Sequence, residues 1–157
     1  MKQVFPMIPA GSGPIWFFLG IAVLLVVLIS LFGYLAWASR HVKFEASSVG
    51  LEIKGDLYAR RIPLVSLRLE DASVVDLTHD REHQLKWRTN GAGLPGYSAG
   101  WFKLRNGEKS LVFVTDPRRV LHIPTRDGYS LLLSTANPQS LLDALRRTAS
   151  QANPASG

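Results

Sequence analysis

The chain has no cysteine. That excludes disulfides, thiolate nucleophiles and every zinc site built on cysteine, and it leaves the redox compartment open. Acidic residues are also in short supply: 12 Asp and Glu stand against 18 Lys and Arg, a formal charge of +6. Only Lys2 among the basic residues precedes Arg40; the rest follow, scattered along the chain. An excess of that size suits a protein resting near an anionic membrane surface. It lacks the concentrated basic face with base-stacking aromatics that nucleic acid requires, so no nucleic-acid partner is expected. Missing as well are a nucleophile elbow, a Ser-His-Asp spacing and a paired-carboxylate pattern. The expectation is a protein that is not an enzyme, with no catalytic, cofactor-binding or metal-ligating residue to assign.

The longest absence is of charge itself. From Ile15 to Ala38 the sequence IWFFLGIAVLLVVLISLFGYLAWA carries none. As a helix these residues span about 36 Å, slightly more than the ~30 Å hydrocarbon core of a bilayer. No polar stripe recurs at helical spacing, as it would in a soluble amphipathic helix. Trp16 at one end and Tyr34 and Trp37 at the other fit the lipid–water boundary. The reading is a single-pass transmembrane helix over 15–38, preceded by a Pro- and Gly-rich leader, 1–14. The rival is a signal peptide cleaved after Ala36-Trp37-Ala38, but the apolar run exceeds the usual 7–15 residues and the leader holds only Lys2. Arg40 and Lys43 outnumber Lys2 beside the apolar run, so the positive-inside rule predicts a cell-membrane protein with its soluble part in the cytoplasm.

Residues beyond the anchor leave about 110 for one ordinary domain. Phe44, Ala46, Leu51 and Ile53 alternate with charged residues, as in half-buried antiparallel strands. Further strands are expected over Leu57–Ile62 (ended by Pro63), Arg68–Leu77 and Gln84–Arg88. A Gly-rich loop then runs from Asn90 to Gly100. Trp101–Arg105 and Leu111–Val114 form a hairpin about the two-residue turn Asn106-Gly107. Short strands over Val120–Ile123 and Tyr129–Leu133 complete the set. Asn137 caps a closing helix with Pro138 in its first position and Leu141, Leu142 and Leu145 on one face. The tail 149–157 is expected to be disordered.

The strand-rich body over 42–148, the segment Thr89-Asn90-Gly91-Ala92-Gly93-Leu94-Pro95-Gly96-Tyr97 before a Gly-Trp-Phe strand, and the Asn-Pro-x-x-Leu-Leu helix entry resemble the bacterial PH-like domains of small membrane proteins. The resemblance implies a mainly β fold: a PH-like antiparallel barrel or sandwich of about seven strands, capped by a C-terminal α-helix. It also implies a binding or assembly module without catalysis, serving a protein partner or self-association at the membrane. The alternative is a sensor of anionic lipid or a small ligand.

Gly91-Ala92-Gly93-Leu94-Pro95-Gly96 spells G-x-G-x-x-G, but no βαβ unit surrounds it, so a dinucleotide site is excluded. The segment reads instead as a loop whose glycines supply positive φ or let backbones pass closely, with a small anion-binding nest of its amides as the alternative. The ligand-binding candidates are therefore Arg88, Gly91, Gly93, Gly96 and Lys103. His79 and His83 are four apart within HDREH, which is not H-E-x-x-H, and read as a solvated turn. His122, in an apolar strand, is expected to be hydrogen-bonded. PH domains that bind phosphoinositides carry basic residues about the first hairpin loop, here Ser47–Gly50, where only Lys43 and Lys54 stand nearby. The pairs Arg60-Arg61, Arg118-Arg119 and Arg146-Arg147 send their members to opposite faces wherever they lie in strands, and make no patch.

Overall fold

A computed structural model describes residue 11 and residues 13–55 and 58–152. The chain divides into two compact units, 1–40 and 41–157. In the first, helix α1 (Gly13–His41) contains one stretch, Gly13–Trp37, long and apolar enough to cross a membrane. Its large side chains, among them Ile15, Val23, Val26, Ile29 and Phe32, are exposed all along it. The expected leader lies mostly outside the described residues.

In the second unit, β1 (Lys43–Ala46), β2 (Gly50–Lys54) and β3 (Arg61–Pro63) form an antiparallel sheet. Their alternation sends Leu51, Ile53 and Ile62 inward and the charges outward. The strand expected over Leu57–Ile62 is shorter: Asp56 and Leu57 lie outside the described residues, and Tyr58 is in a turn. Pro63 ends it as expected, leading into a 3-10 turn, Leu64–Ser66.

Six strands make the second sheet: β4 (Ser73–Val75), β5 (Leu85–Leu94), β6 (Tyr97–Leu104), β7 (Lys109–Val114), β8 (Val120–Pro124) and β9 (Ser130–Ser134). Their order is β4-β8-β9-β7-β6-β5. Antiparallel pairing prevails, but β7 and β9 run parallel, because β9 inserts between β7 and β8. The long strand expected over Arg68–Leu77 is mostly absent. The Asp71 amide donates to the Arg68 carbonyl and the two side chains form an ion pair, so the chain turns there and only β4 remains.

The core lies between the two sheets. Leu111, Phe113, Leu121, Ile123, Leu131 and Leu133, on the inner face of the larger sheet, are almost wholly buried against Leu51, Ile53 and Ile62. Burying each such side chain contributes about 1.5–3 kcal/mol. Helix α2 (Pro138–Ala152) adds Leu142 and Leu145 to this core and packs on β1 and β8. Asn137 caps it as expected, its Oδ1 accepting the Ser140 amide at 3.2 Å. Arg146 ties it to the preceding loop, donating from Nη2 to the Leu69 carbonyl at 3.1 Å. The helix continues past the expected start of the tail to Ala152. The rest of that tail, 153–157, lies outside the described residues.

A second, smaller cluster sits on the outer face of the six-stranded sheet, where Val112, Val120, Leu132, Phe102 and Leu104 are covered by Leu77 and Leu85. These two residues belong to the segment entering β5, which is held at both ends. The Leu77 amide donates to the Pro117 carbonyl at 2.8 Å, and the amides of Arg105 and Asn106 donate to the carbonyls of Gln84 and Glu82.

Candidate functional site

The glycine-rich segment is a hairpin and not a loop. Strand β5 runs through Gly91 and Gly93, paired with Gly100 and Ser98 of β6, and the chain turns only at Pro95-Gly96. Successive amides of a paired strand point to opposite sides, unlike the converging successive amides of a nest. Close approach is what requires glycine here. A Cβ on Gly91 would stand 2.3 Å from the Ala99 carbonyl oxygen, and one on Gly100 would stand 2.5 Å from that of Asn90. Gly96, with φ +78°, supplies the turn.

Arg88 and Lys103 are separated too. Trp87 pairs with Lys103, and Arg88 with Phe102, so the two cations lie on opposite faces of the hairpin. Of the ligand-binding candidates, only Lys103 enters the depression described next.

The β6–β7 connection decides what Lys103 faces. A two-residue Asn106-Gly107 turn would pair Lys103 with Ser110 and send Lys109 to the other face. Instead the Gly107 amide donates to the Leu104 carbonyl at 3.0 Å, the Leu104 amide donates to the Glu108 carbonyl at 2.8 Å, and Gly107 has φ +89°. This is the three-residue hairpin loop, with Gly107 in the left-handed region. It shifts the register by one, so that Lys103 pairs directly with Lys109. Trp87, Lys103 and Lys109 therefore form a row across three strands.

Two tryptophans hold the cations. Lys109 Nζ lies 4.5 Å and Arg60 Cζ 5.5 Å from the Trp101 ring centre. Lys86 Nζ lies 4.7 Å and Lys103 Nζ 6.0 Å from that of Trp87. Trp101 is braced edge-on by Tyr129 at 5.2 Å. An open depression of about 590 Å³ lies over Thr89, Asn90, Trp101, Lys103, Gly107 and Lys109. Among the described residues none of Arg60, Lys86, Lys103 or Lys109 has a carboxylate partner.

The first hairpin is the opposite case. Lys43 pairs with Lys54 across β1 and β2, but Lys54 Nζ is 2.7 Å from Glu45 and 3.5 Å from Glu52. The hydrogen bond that Lys54 donates to Glu45 raises the Lys54 pKa, and that from Arg61 lowers the Glu52 pKa. Lys54 and Arg61 are already neutralised.

The histidines divide. Two Asp-x-x-His turns follow one another, Asp76–His79 and Asp80–His83. In each, the aspartate Oδ1 accepts the amide two residues on and Oδ2 accepts the histidine Nδ1–H. The first points to solvent, with the His79 side chain 85% exposed, as the sequence reading expected; the second turns inward, with His83 21% exposed. In Asp80, burial works to raise the pKa, but the hydrogen bonds from His83 outweigh it and the net shift is downward. The His83 ring lies tilted by 56° against that of His122 of β8, ring centres 4.4 Å apart. Contrary to expectation, buried His122 Nε2 makes no hydrogen bond; Glu108 Oε2 lies 3.5 Å away. Burial, and then the charge of a protonated His83, lower the His122 pKa.

A family model described as the bacterial PH domain matches residues 42–149. The chain belongs to that family. No curated protein and no solved structure matches it. The PH domain thus covers both sheets and nearly all of α2, and the family's general role is that of a binding module.

Proposed function

We propose that this PH-domain protein is a non-catalytic module, tethered by α1 as a single membrane span, that binds anionic head groups through the depression lined by Trp101, Lys103 and Lys109. One observation carries the reading: Lys103 and Lys109 face each other with no acid between them. Like charges directly opposite in a sheet are destabilising, and an anion seated between them removes that repulsion. The cation–π contacts hold the charges in place at about 0.5–1 kcal/mol each without neutralising them. A tether keeps the depression near lipid at high effective concentration. Arg40 and Lys43 favour a cytoplasmic orientation, which a reporter fused at the C-terminus checks.

The other reading, a protein partner or self-association, would find its simplest surface at the sheet edge β5. That edge carries Lys86 and Arg88 and register shifts on either side of them, features that blunt edge-to-edge pairing.

The test is flotation of residues 42–157 with vesicles rich in phosphatidylglycerol and with pure phosphatidylcholine. Binding should be confined to the anionic vesicles and fall with salt. At about 1 kcal/mol per lysine, Lys103→Gln with Lys109→Gln should lower partitioning roughly thirtyfold, while Arg118→Gln with Arg119→Gln should change it less. Undiminished binding by the double lysine variant sinks the proposal. Cross-linking of the full-length protein into a defined complex, indifferent to that variant, would put the protein-partner reading in its place.

A further inference from the structure

Three segments remote in sequence converge on the outer face of the larger sheet. His83 comes from the loop entering β5, Glu108 from the β6–β7 hairpin and His122 from β8. One donor atom from each lies within 4.8 Å of the other two. We infer that His83, Glu108 and His122 form a binding site for a divalent transition metal, with zinc the ion best suited to the donors.

His122 Nε2 carries the argument. The His122 side chain is 8% exposed, and this nitrogen has no hydrogen-bond partner. A buried polar atom left unsatisfied costs about 1–3 kcal/mol, and a metal ion accepts its lone pair. Donors placed about 2.0–2.1 Å from a tetrahedral ion stand about 3.4 Å from one another. Glu108 Oε2 and His122 Nε2 are 3.5 Å apart, and the His83 donor lies within 4.8 Å of both.

Asp80 completes the design. Its Oδ2 accepts the Nδ1–H of His83 at 2.7 Å, which fixes the tautomer and leaves Nε2 with the lone pair. A carboxylate behind a ligating imidazole is the usual orienting partner in zinc sites. Two imidazoles and one carboxylate fill three positions and leave a fourth for water or an external ligand. The partly exposed Glu108 and His83 side chains give an ion a way in. Once bound, the metal pins the covering loop to the sheet.

Full-length protein in detergent, stripped with a chelator, should bind one zinc per chain by isothermal titration and melt at a higher temperature when loaded. Cobalt in its place should give the visible bands of a tetrahedral ion. Glu108→Gln and His122→Leu should each remove stoichiometric binding. Asp80→Asn should weaken it about 10–100-fold, and His79→Ala should leave it unchanged. If His122→Leu fails to fold by circular dichroism, Glu108→Gln, on an exposed turn, decides. Absence of stoichiometric zinc binding by the parent protein, undiminished binding by Glu108→Gln, or loss of binding in His79→Ala overturns the assignment.

Discussion

The two faces of the six-stranded sheet are made by the same strands with the same alternation, and they bury different chemistry. On the inner face, Leu111, Phe113, Leu121, Ile123, Leu131 and Leu133 meet the smaller sheet and α2 with carbon alone. On the outer face, Val112, Val120 and Leu132 alternate with Ser110, Ser130 and His122, all of them buried. The serines satisfy each other, Ser110 Oγ donating to the Ser130 carbonyl at 3.1 Å and Ser130 Oγ to Ser110 Oγ at 3.2 Å. His122 is not so satisfied. The face that closes on regular elements is an apolar core; the face closed by a loop holds polar atoms in reserve.

Substitutions on the two faces should separate these roles. Leu131→Ala, on the inner face, should cost about 3–5 kcal/mol and leave the domain largely unfolded in a urea titration. Gly100→Ala should cost about 1–3 kcal/mol, because its Cβ meets the Asn90 carbonyl and its φ is +112°. His122→Leu, on the outer face, should be neutral or stabilise chelator-treated protein by up to about 1 kcal/mol. In excess zinc the sign should reverse; destabilisation by His122→Leu under both conditions would erase the contrast between the faces.

The smallest effect concerns pH. His122 has a lower pKa in the fold than when unfolded, so below about 6.5 the unfolded chain binds more protons. Stability of the chelator-treated protein should therefore be complete above that pH and decline as pH falls toward the folded value. His83, Asp80 and Glu108 face the same ring. Chemical denaturation across that range should show the slope in the parent and a flatter profile in His122→Leu.

Much of this was legible from the chain. The charge gap of α1, the alternation in β1 and β2, and the Asn-Pro entry to α2 are local patterns, and the structure follows them. What escaped depends on register. Asn106-Gly107 reads as a two-residue turn, and the single added residue in the actual loop is what brings Lys109 to the face of Lys103. The bulges in β5 likewise hide the pairing of Trp87 with Lys103. Gly91 and Gly93 read as loop because glycine usually breaks strands, but they lie in β5; the close passage of backbones expected of these glycines is what Gly91 allows. His83 and His122 are thirty-nine positions apart, and no spacing rule joins them; only the inward turn of Asp80–His83 does.

The position of β9 governs the order in which the domain can be made. It is the last strand synthesised, yet it lies between β7 and β8 and joins them. Until Ser134 has left the ribosome, β8 has no central neighbour and the inner face of β7 has no Leu131 or Leu133 beside it. The nascent domain must wait open, with its apolar strands exposed, and any truncation before Ser134 should strand it in that state.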